Sequence, residues 1–456
     1  MTGKPDAGGT GDQAGITEHA EARTAAATAA VPVDIGPIEF TRVEAPAARR
    51  QRLTTGVLIG LVGLLLLILV PSTDGSARFA LSDAFDPVQL PTIVLPGAPI
   101  VLICALLCLA SSAAFLSGRA RGRMAALAGT VGGLAFLIGF LTWAAAGRDL
   151  PFPVSNQFAG TLAVATPLVL GALAGVLGER AGVINVSIEG QFLVAALAAA
   201  IVGSLTQSVP WALVAAAIAG IGMAALLALF AIKYLVNQVV LGVVLNMLAI
   251  GITGFIFDQL VQPNPDQLNA APVLEKIPIP GLSKIPFFGP VIFDQNVLAY
   301  IAGISVVVVW LLLFKTKWGL RVRAVGEHPK AADTVGINVI GMRWSAVLAG
   351  GLFAGLGGAF FTLASTGAFS KEFTVGNGFI ALAAVIMGRW HPVWAAIMAL
   401  FFGFVTQMAS QLQTLSTPVP SQFLLILPYV ATVIAVAGLI GRVRAPAADG
   451  VPYEKD

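Results

Sequence analysis

Charge is what this chain has least of. Of its 456 residues only 11% are charged, while 57% are hydrophobic. Soluble domains run near a quarter charged, so the composition weighs against an ordinary water-soluble globule. Disorder over most of the length is excluded, because disordered segments carry little apolar surface. Cysteine is nearly missing. Cys104 and Cys108 are the two present, four apart in an apolar run, where core packing is favoured over chemistry and no disulfide scaffold is possible. The three histidines, His19, His328 and His391, stand apart from cysteines and acids, so no metal-ligand set is spelled out. No G-x-x-x-x-G-K-[ST] phosphate loop occurs, so the chain does not hydrolyse ATP by that route. Acids inside apolar runs are almost absent as well. This weighs against an ion-coupled carrier, which depends on intramembrane ionisable groups.

What the chain does have is a succession of apolar runs. Crossing a bilayer takes about 20 residues, and candidates lie at 53–70, 92–117, 124–146, 158–178, 190–206, 211–232, 238–257, 298–314, 345–365, 379–388, 393–412 and 423–441. The expected fold is all-α, a polytopic transmembrane helical bundle of 11 or 12 spans. Run 379–388 is too short to cross by itself, which suits a re-entrant helix. Residues 1–48, rich in Ala, Gly, Thr, Glu and Asp, read as a disordered tail, and no secretory signal is visible ahead of Leu53. The remaining divisions are N-terminal spans over 49–150, a core over 151–445 and a tail over 446–456.

The charges orient the spans. With the tail inside, alternating crossings leave only Arg78, Arg148, Lys276, Lys284 and Lys371 outside, as the excess of Lys and Arg in cytoplasmic loops requires. Both ends of the chain are then cytoplasmic. The outside segment 258–297 holds seven prolines. Each fixes φ and removes a donor, so a stiff irregular loop is expected.

One junction breaks the apolar pattern: "ERAGVINVSIEG" at 179–190. Glu179 and Arg180 pair opposite charges at a helix end, Gly182 permits a sharp bend, and Asn185 and Glu189 share a face if helical. Irregular backbone at membrane depth is tolerated where it is covered by protein or lines a water-filled cavity. The residues fit a broken helix lining a polar pathway, and equally an ordinary loop with a surface ion pair. "FTVGNGFIALAAVIMG" at 373–388 places Asn377 and Gly378 before an apolar run much as Glu189 and Gly190 precede another. That similarity hints at a pseudo-symmetric repeat. Gln238, Gly242, Asn246 and Thr253 fall on one arc of a helix, either meeting a polar solute or bonding a neighbouring helix. Gly350, Ala354 and Gly358, with Gly351, Gly355 and Ala359, make two small faces for close helix packing. In 315–344, Pro329 suits a helix start, Gly336 a helix end, and Asn338 the return. That grammar fits a short helix docking on a soluble partner or a basic loop at lipid head groups.

Three stretches carry a resemblance over about 155–441: "ATPLVLGALAGVLGERAGVINVSIEGQF", "RAVGEHPKAADTVGINV" continuing to "AVLAGGLFAGLGGAFF", and "NGFIALAAVIMGRWHPVWAA". The chain resembles the permease subunits of ATP-binding-cassette importers serving simple sugars, nucleosides and branched-chain amino acids. "ERAGVIN" followed by "EG", with "NQVVLGVVLNMLAIGIT", looks most like the nucleoside-type permeases. The resemblance implies a multi-pass subunit of the cell membrane that is not itself an enzyme. It implies no cofactor, ATP being bound by separate cytoplasmic subunits. The other implied partners are a second, homologous permease, an extracytoplasmic substrate-binding lipoprotein and membrane lipid, with no nucleic acid. By resemblance, Glu327, Pro329, Lys330, Ala331, Asp333, Gly336 and Asn338 contact the ATPase. The pathway would be lined by Asn185, Glu189, Gln191, Phe192, Asn246, Asn377 and Phe379. Residues 1–150 exceed the compact family form. A simple sugar is the alternative solute; an ion-coupled carrier and a passive channel are the alternative classes.

Overall fold

The computed structural model describes residues 46–83, 86, 88–415, 417, 420, 422–424, 426, 429–430 and 444–455. The chain divides into two units, Met1–Ala48, where the expected disordered tail lies outside the described residues except for 46–48, and Arg49–Asp456. Apart from the start of the first helix, everything below belongs to the second. The helices are α1 (Pro46–Leu69), α2 (Gly97–Leu116), α3 (Arg123–Ala145), α4 (Val154–Arg180), α5 (Ile188–Thr206), α6 (Val209–Ala228), α7 (Gln238–Ile256), α8 (Val297–Lys315), α9 (Lys317–Glu327), α10 (Pro329–Thr334), α11 (Val339–Phe361), α12 (Asn377–Met387) and α13 (Pro392–Thr414).

Ten helices among the described residues, α1–α8, α11 and α13, are long and apolar enough to cross a membrane. The expected helical bundle is therefore present. Run 379–388 is α12, whose 11 residues reach about 17 Å, roughly half of a bilayer core of about 30 Å. Run 423–441 lies mostly outside the described residues.

Segments placed on one side by their charges touch one another. On the basic side, Ala448 N–H donates to Gly326 O at 2.9 Å and Arg180 Nε to Trp390 O at 2.7 Å. On the other side, Ala271 N–H donates to Gly367 O at 2.9 Å and Arg78 Nη2 to Arg148 O at 2.7 Å. The proline-rich loop is less irregular than its composition suggests. It holds short helical turns at Pro265–Leu268, Leu282–Lys284 and Gly289–Phe293, and a short antiparallel pair, Lys276–Pro278 with Asp294–Asn296. A small sheet also caps α1–α3 on this side, with Ser76–Ala80 antiparallel to Ile93–Pro96 and parallel to Phe152–Pro153.

The core is built on α4, buried from Ala165 to Glu179. The small faces of α11 explain its packing. An added Cβ on Gly350 would stand 2.8 Å from Ala174 O of α4, and one on Gly355 only 2.4 Å from Ala216 O of α6. Backbones approach at distances that no side chain allows, the packing role expected of those faces. Cys104 and Cys108 are buried between α1, α2 and α3. Segment 315–344 holds a helix that its basic composition concealed: α9 buries Gly319, Val322, Val325 and Gly326. The side chain of Thr316 caps it, accepting from Gly319 N–H at 3.1 Å. Helix α10 then starts at Pro329, and Gly336 takes a left-handed φ of 81°. Asn338 caps α11 by accepting from Gly341 N–H at 2.9 Å.

Candidate functional site

Two half-membrane features converge where α5 and α12 begin. Ile188 packs beside Gly171 and Gly175 of α4, five to nine residues before α4 ends at Arg180. At a rise of 1.5 Å per residue that is about 8–13 Å, so turn 181–187 climbs back along α4 before α5 starts. Helix α12 begins against the same place. An added Cβ on Gly378 would lie 2.4 Å from Glu189 N and 2.6 Å from Glu189 Cα. The two stretches that look alike in sequence thus meet at their helix N-termini.

Glu189 joins them. Its carboxylate is buried and accepts Gly378 N–H at 2.7 Å, Gly376 N–H at 2.9 Å and the Thr374 hydroxyl. Helix N-termini carry positive partial charge and unpaired N–H groups. One carboxylate, from the first turn of α5, satisfies those at the start of α12. Asn377 closes the same loop, Nδ2 donating to Thr374 O at 2.8 Å. Backbone strain clusters around α12: Glu372, Val375, Arg389 and Trp390 all take left-handed φ, a conformation costly for residues with a Cβ. Such strain persists where surrounding contacts over-determine it.

The amides form a second set. Asn185 Oδ1 accepts Ser187 Oγ–H at 2.9 Å and Gln191 Nε2–H at 3.2 Å. Gln191 Nε2 also donates to Ser187 Oγ at 3.1 Å. Asn246, reaching in from α7, accepts Gly190 N–H at 2.8 Å and donates to Val186 O at 3.0 Å. Gln238 accepts Ile184 N–H at 2.7 Å. The polar arc of α7 therefore faces turn 181–187 and holds its backbone. Buried amides without partners would be costly, and here they pair mainly with the turn and with one another.

The structure thus brings Asn185, Glu189, Gln191 and Asn246 into one buried group. Phe192 is wholly buried and packs on Phe361 with centroids 5.6 Å apart. Asn377 is half-buried and Phe379 is 49% exposed, so α12 presents the accessible edge. At the basic end, Trp390 Nε1–H donates to Glu179 Oε2, fastening the exit of α12 to the end of α4. Nothing local in the sequence signals the roles of Thr374, Ser187 or Trp390. An apolar cavity of about 390 Å³ lies elsewhere, between α4, α8 and α13. Among the described residues no cluster of His, Cys, Asp or Glu could hold a metal ion.

The proposed coupling residues lie on the basic side. Glu327, Lys330, Ala331, Gly336 and Asn338 are exposed, and Pro329 and Asp333 are half-buried. Beneath them Val325, Ala332 and Val339 form a small core.

Residues 157–439 match the family described as the branched-chain amino acid transport system permease component. The chain belongs to that family. This permease is similar to the guanosine ABC transporter permease protein NupQ of Bacillus subtilis, 41% identical over 304 residues, covering 65% of this chain and 95% of NupQ. The nucleoside ABC transporter permease protein NupC of Lactococcus lactis is 37% identical over 307 residues, 65% of this chain and 96% of NupC. A putative glucose ABC transporter permease protein of Haloferax volcanii, TsgC13, is 37% identical over 259 residues, 56% of this chain and 77% of its own. No solved structure matches the chain. The matched region begins at α4, so α1–α3 lie outside it.

Proposed function

We propose that this chain is a transmembrane permease subunit of an ATP-binding-cassette importer that moves nucleosides inward by alternating access. What carries this reading is the break between α4 and α5, held by Glu189 against α12, in a chain 41% identical to a guanosine permease protein. The basic face is cytoplasmic, as the Lys and Arg distribution requires, and the Glu327–Asn338 segment takes up the movement of separate ATP-binding subunits there. A second, homologous permease completes the pathway, and an extracytoplasmic binding lipoprotein delivers solute at the opposite face. The subunit itself binds no cofactor. The accessible edge of α12 meets the solute: Phe379 offers a ring for base stacking, and Asn377 an amide for ribose hydroxyls or a base edge. Asn185, Glu189, Gln191 and Asn246 shape the pathway wall, with Phe192 behind it.

A simple sugar is the second reading, favoured by the putative glucose permease among the relatives. Uptake of labelled guanosine into liposomes holding the complete complex separates the two. Competition by unlabelled nucleosides, with no effect of excess glucose or ribose, is the expected result. Competition by the sugars alone would replace the nucleoside with a sugar.

A further inference from the structure

Segment 446–453 falls in the expected C-terminal tail, yet it is built into the basic face. It touches three elements at once. Towards the proposed coupling region, Ala448 N–H donates to Gly326 O at 2.9 Å, and Ala447 N–H to Glu327 Oε2 at 3.3 Å. Tyr453 is buried with Val325, Ala332 and Val339, the core beneath α9 and α10. Towards the pathway, an added Cβ on Gly182 would stand 2.9 Å from Ala448 O, and one on Gly450 only 2.6 Å from Ile184 Cδ1. Towards α11, the buried Arg343 donates Nη1–H to Val451 O at 3.0 Å.

We infer that segment 446–453 is a coupling strut, fastening the Glu327–Asn338 segment to turn 181–187 so that movement of the first reaches the pathway through it. This rests on the ATP-coupled reading above and adds the route by which the movement travels. The geometry favours a strut over a loose tail. Tyr453 and Ala448 anchor it on one moving part, while Ala448 O and Gly450 seat on the other, within one short stretch of backbone. Arg343 is 1% exposed, and its Nε and Nη2 find no hydrogen-bond partner among the described residues. Neither do Glu179 Oε1 and Asp449 Oδ1. This junction therefore holds spare donors and acceptors that a second arrangement can pair. Elements that have two discrete arrangements are what carry coupling between distant sites. A competing route exists, because Gly326 also packs directly on Arg180 O.

The test uses the full complex in liposomes and compares the parent with Tyr453→Ala, Tyr453→Phe and a deletion of 446–456. The first readout is ATP hydrolysed per solute accumulated. The expectation is continued hydrolysis with that ratio raised about tenfold in Tyr453→Ala and in the deletion, and near the parent value in Tyr453→Phe. The second readout needs no solute: the effect of ATP on the thiol-labelling rate of Val186→Cys, a half-buried position in the turn. ATP should change that rate in the parent and leave it nearly unchanged in Tyr453→Ala. An unaltered ratio and an unaltered ATP response in both altered proteins would overturn the strut and assign coupling to the Gly326–Arg180 contact. A parent that responds to ATP at position 186 but accumulates no nucleoside leaves the strut standing and defeats the nucleoside assignment. A parent whose turn ignores ATP overturns the strut outright.

Discussion

Helices α1–α3 and the core from α4 onward are equally apolar to the eye but use their polar groups in opposite ways. In α1–α3 the polar contacts tie one continuous helix to the next. Ser112 Oγ–H donates to Gly56 O at 2.7 Å and Cys108 Sγ–H to Gly132 O at 3.4 Å. No acidic or basic side chain is buried there, and no residue other than glycine takes a left-handed φ, among the described residues. In the core Glu179, Glu189 and Arg343 are buried. Among the described residues, all seven left-handed non-glycine residues lie beyond residue 200, four of them flanking α12. Buried charge and strained backbone are expensive, and they gather where helices are broken. The difference teaches that the broken core is specified at the expense of stability, whereas the front bundle is ordinary membrane packing.

Changes on the two sides of that comparison should separate widely. The largest effect is expected from Glu189→Ala, which strands two backbone donors and the Thr374 hydroxyl and leaves the N-terminus of α12 uncompensated. A loss on the order of 4 kcal/mol, from charge-assisted bonds of about 1.5–3 kcal/mol each, should appear as a lowered melting temperature in detergent with uptake abolished. Next comes Gly378→Ala, whose Cβ meets the Glu189 backbone. Overpacking of this kind costs about 1–3 kcal/mol, and uptake should fall while the ATPase still co-purifies.

Third is a pH effect on segment 446–453. Burial pushes the Asp449 carboxyl up to about 7 from an ordinary 3.8, against the opposing pull of Arg343 and a backbone bond. The groups facing it are Arg343 and Glu179. Because the docked carboxyl holds its proton longer than a free one, docking weakens as pH rises from about 4 to about 7 and levels off above. Proteolytic cleavage within the segment should therefore increase between pH 5.5 and 7, then plateau. Asp449→Asn should flatten the profile. Ser112→Ala, in the front bundle, should cost about 1 kcal/mol with uptake unchanged. Smallest of all, Gly133→Ala on the open side of α3, where an added Cβ meets nothing, should be neutral or stabilise by up to about 1 kcal/mol. A loss of uptake from either front-bundle change would break the comparison.

Much of this was legible beforehand, for physical reasons. Spans are readable because a bilayer demands continuous apolar length, and the grouping of segments onto a basic face and an opposite one because Lys and Arg gather on one side. The junction at 179–190 stood out because Asn185 and Glu189 interrupt that length. Its partners did not. Thr374, Gly376 and Gly378 lie 185 or more residues away from Glu189, and nothing local in either stretch announces the pairing. Trp390 is equally remote from Glu179. Helix α9 was masked by its basic residues, although Val322 and Val325 sit three apart on one face. Segment 446–453 was unreadable because it docks largely through backbone groups, which leave no mark in composition.

The most direct measurement is accumulation of labelled guanosine by sealed vesicles containing this permease, its partner permease, the ATP-binding subunits and the binding protein. The interior concentration should rise above the bath when ATP is supplied, and should not when a non-hydrolysable analogue replaces it. Equilibration of guanosine to the bath concentration irrespective of ATP would contradict the proposal that this chain's broken helices are driven through its cytoplasmic face.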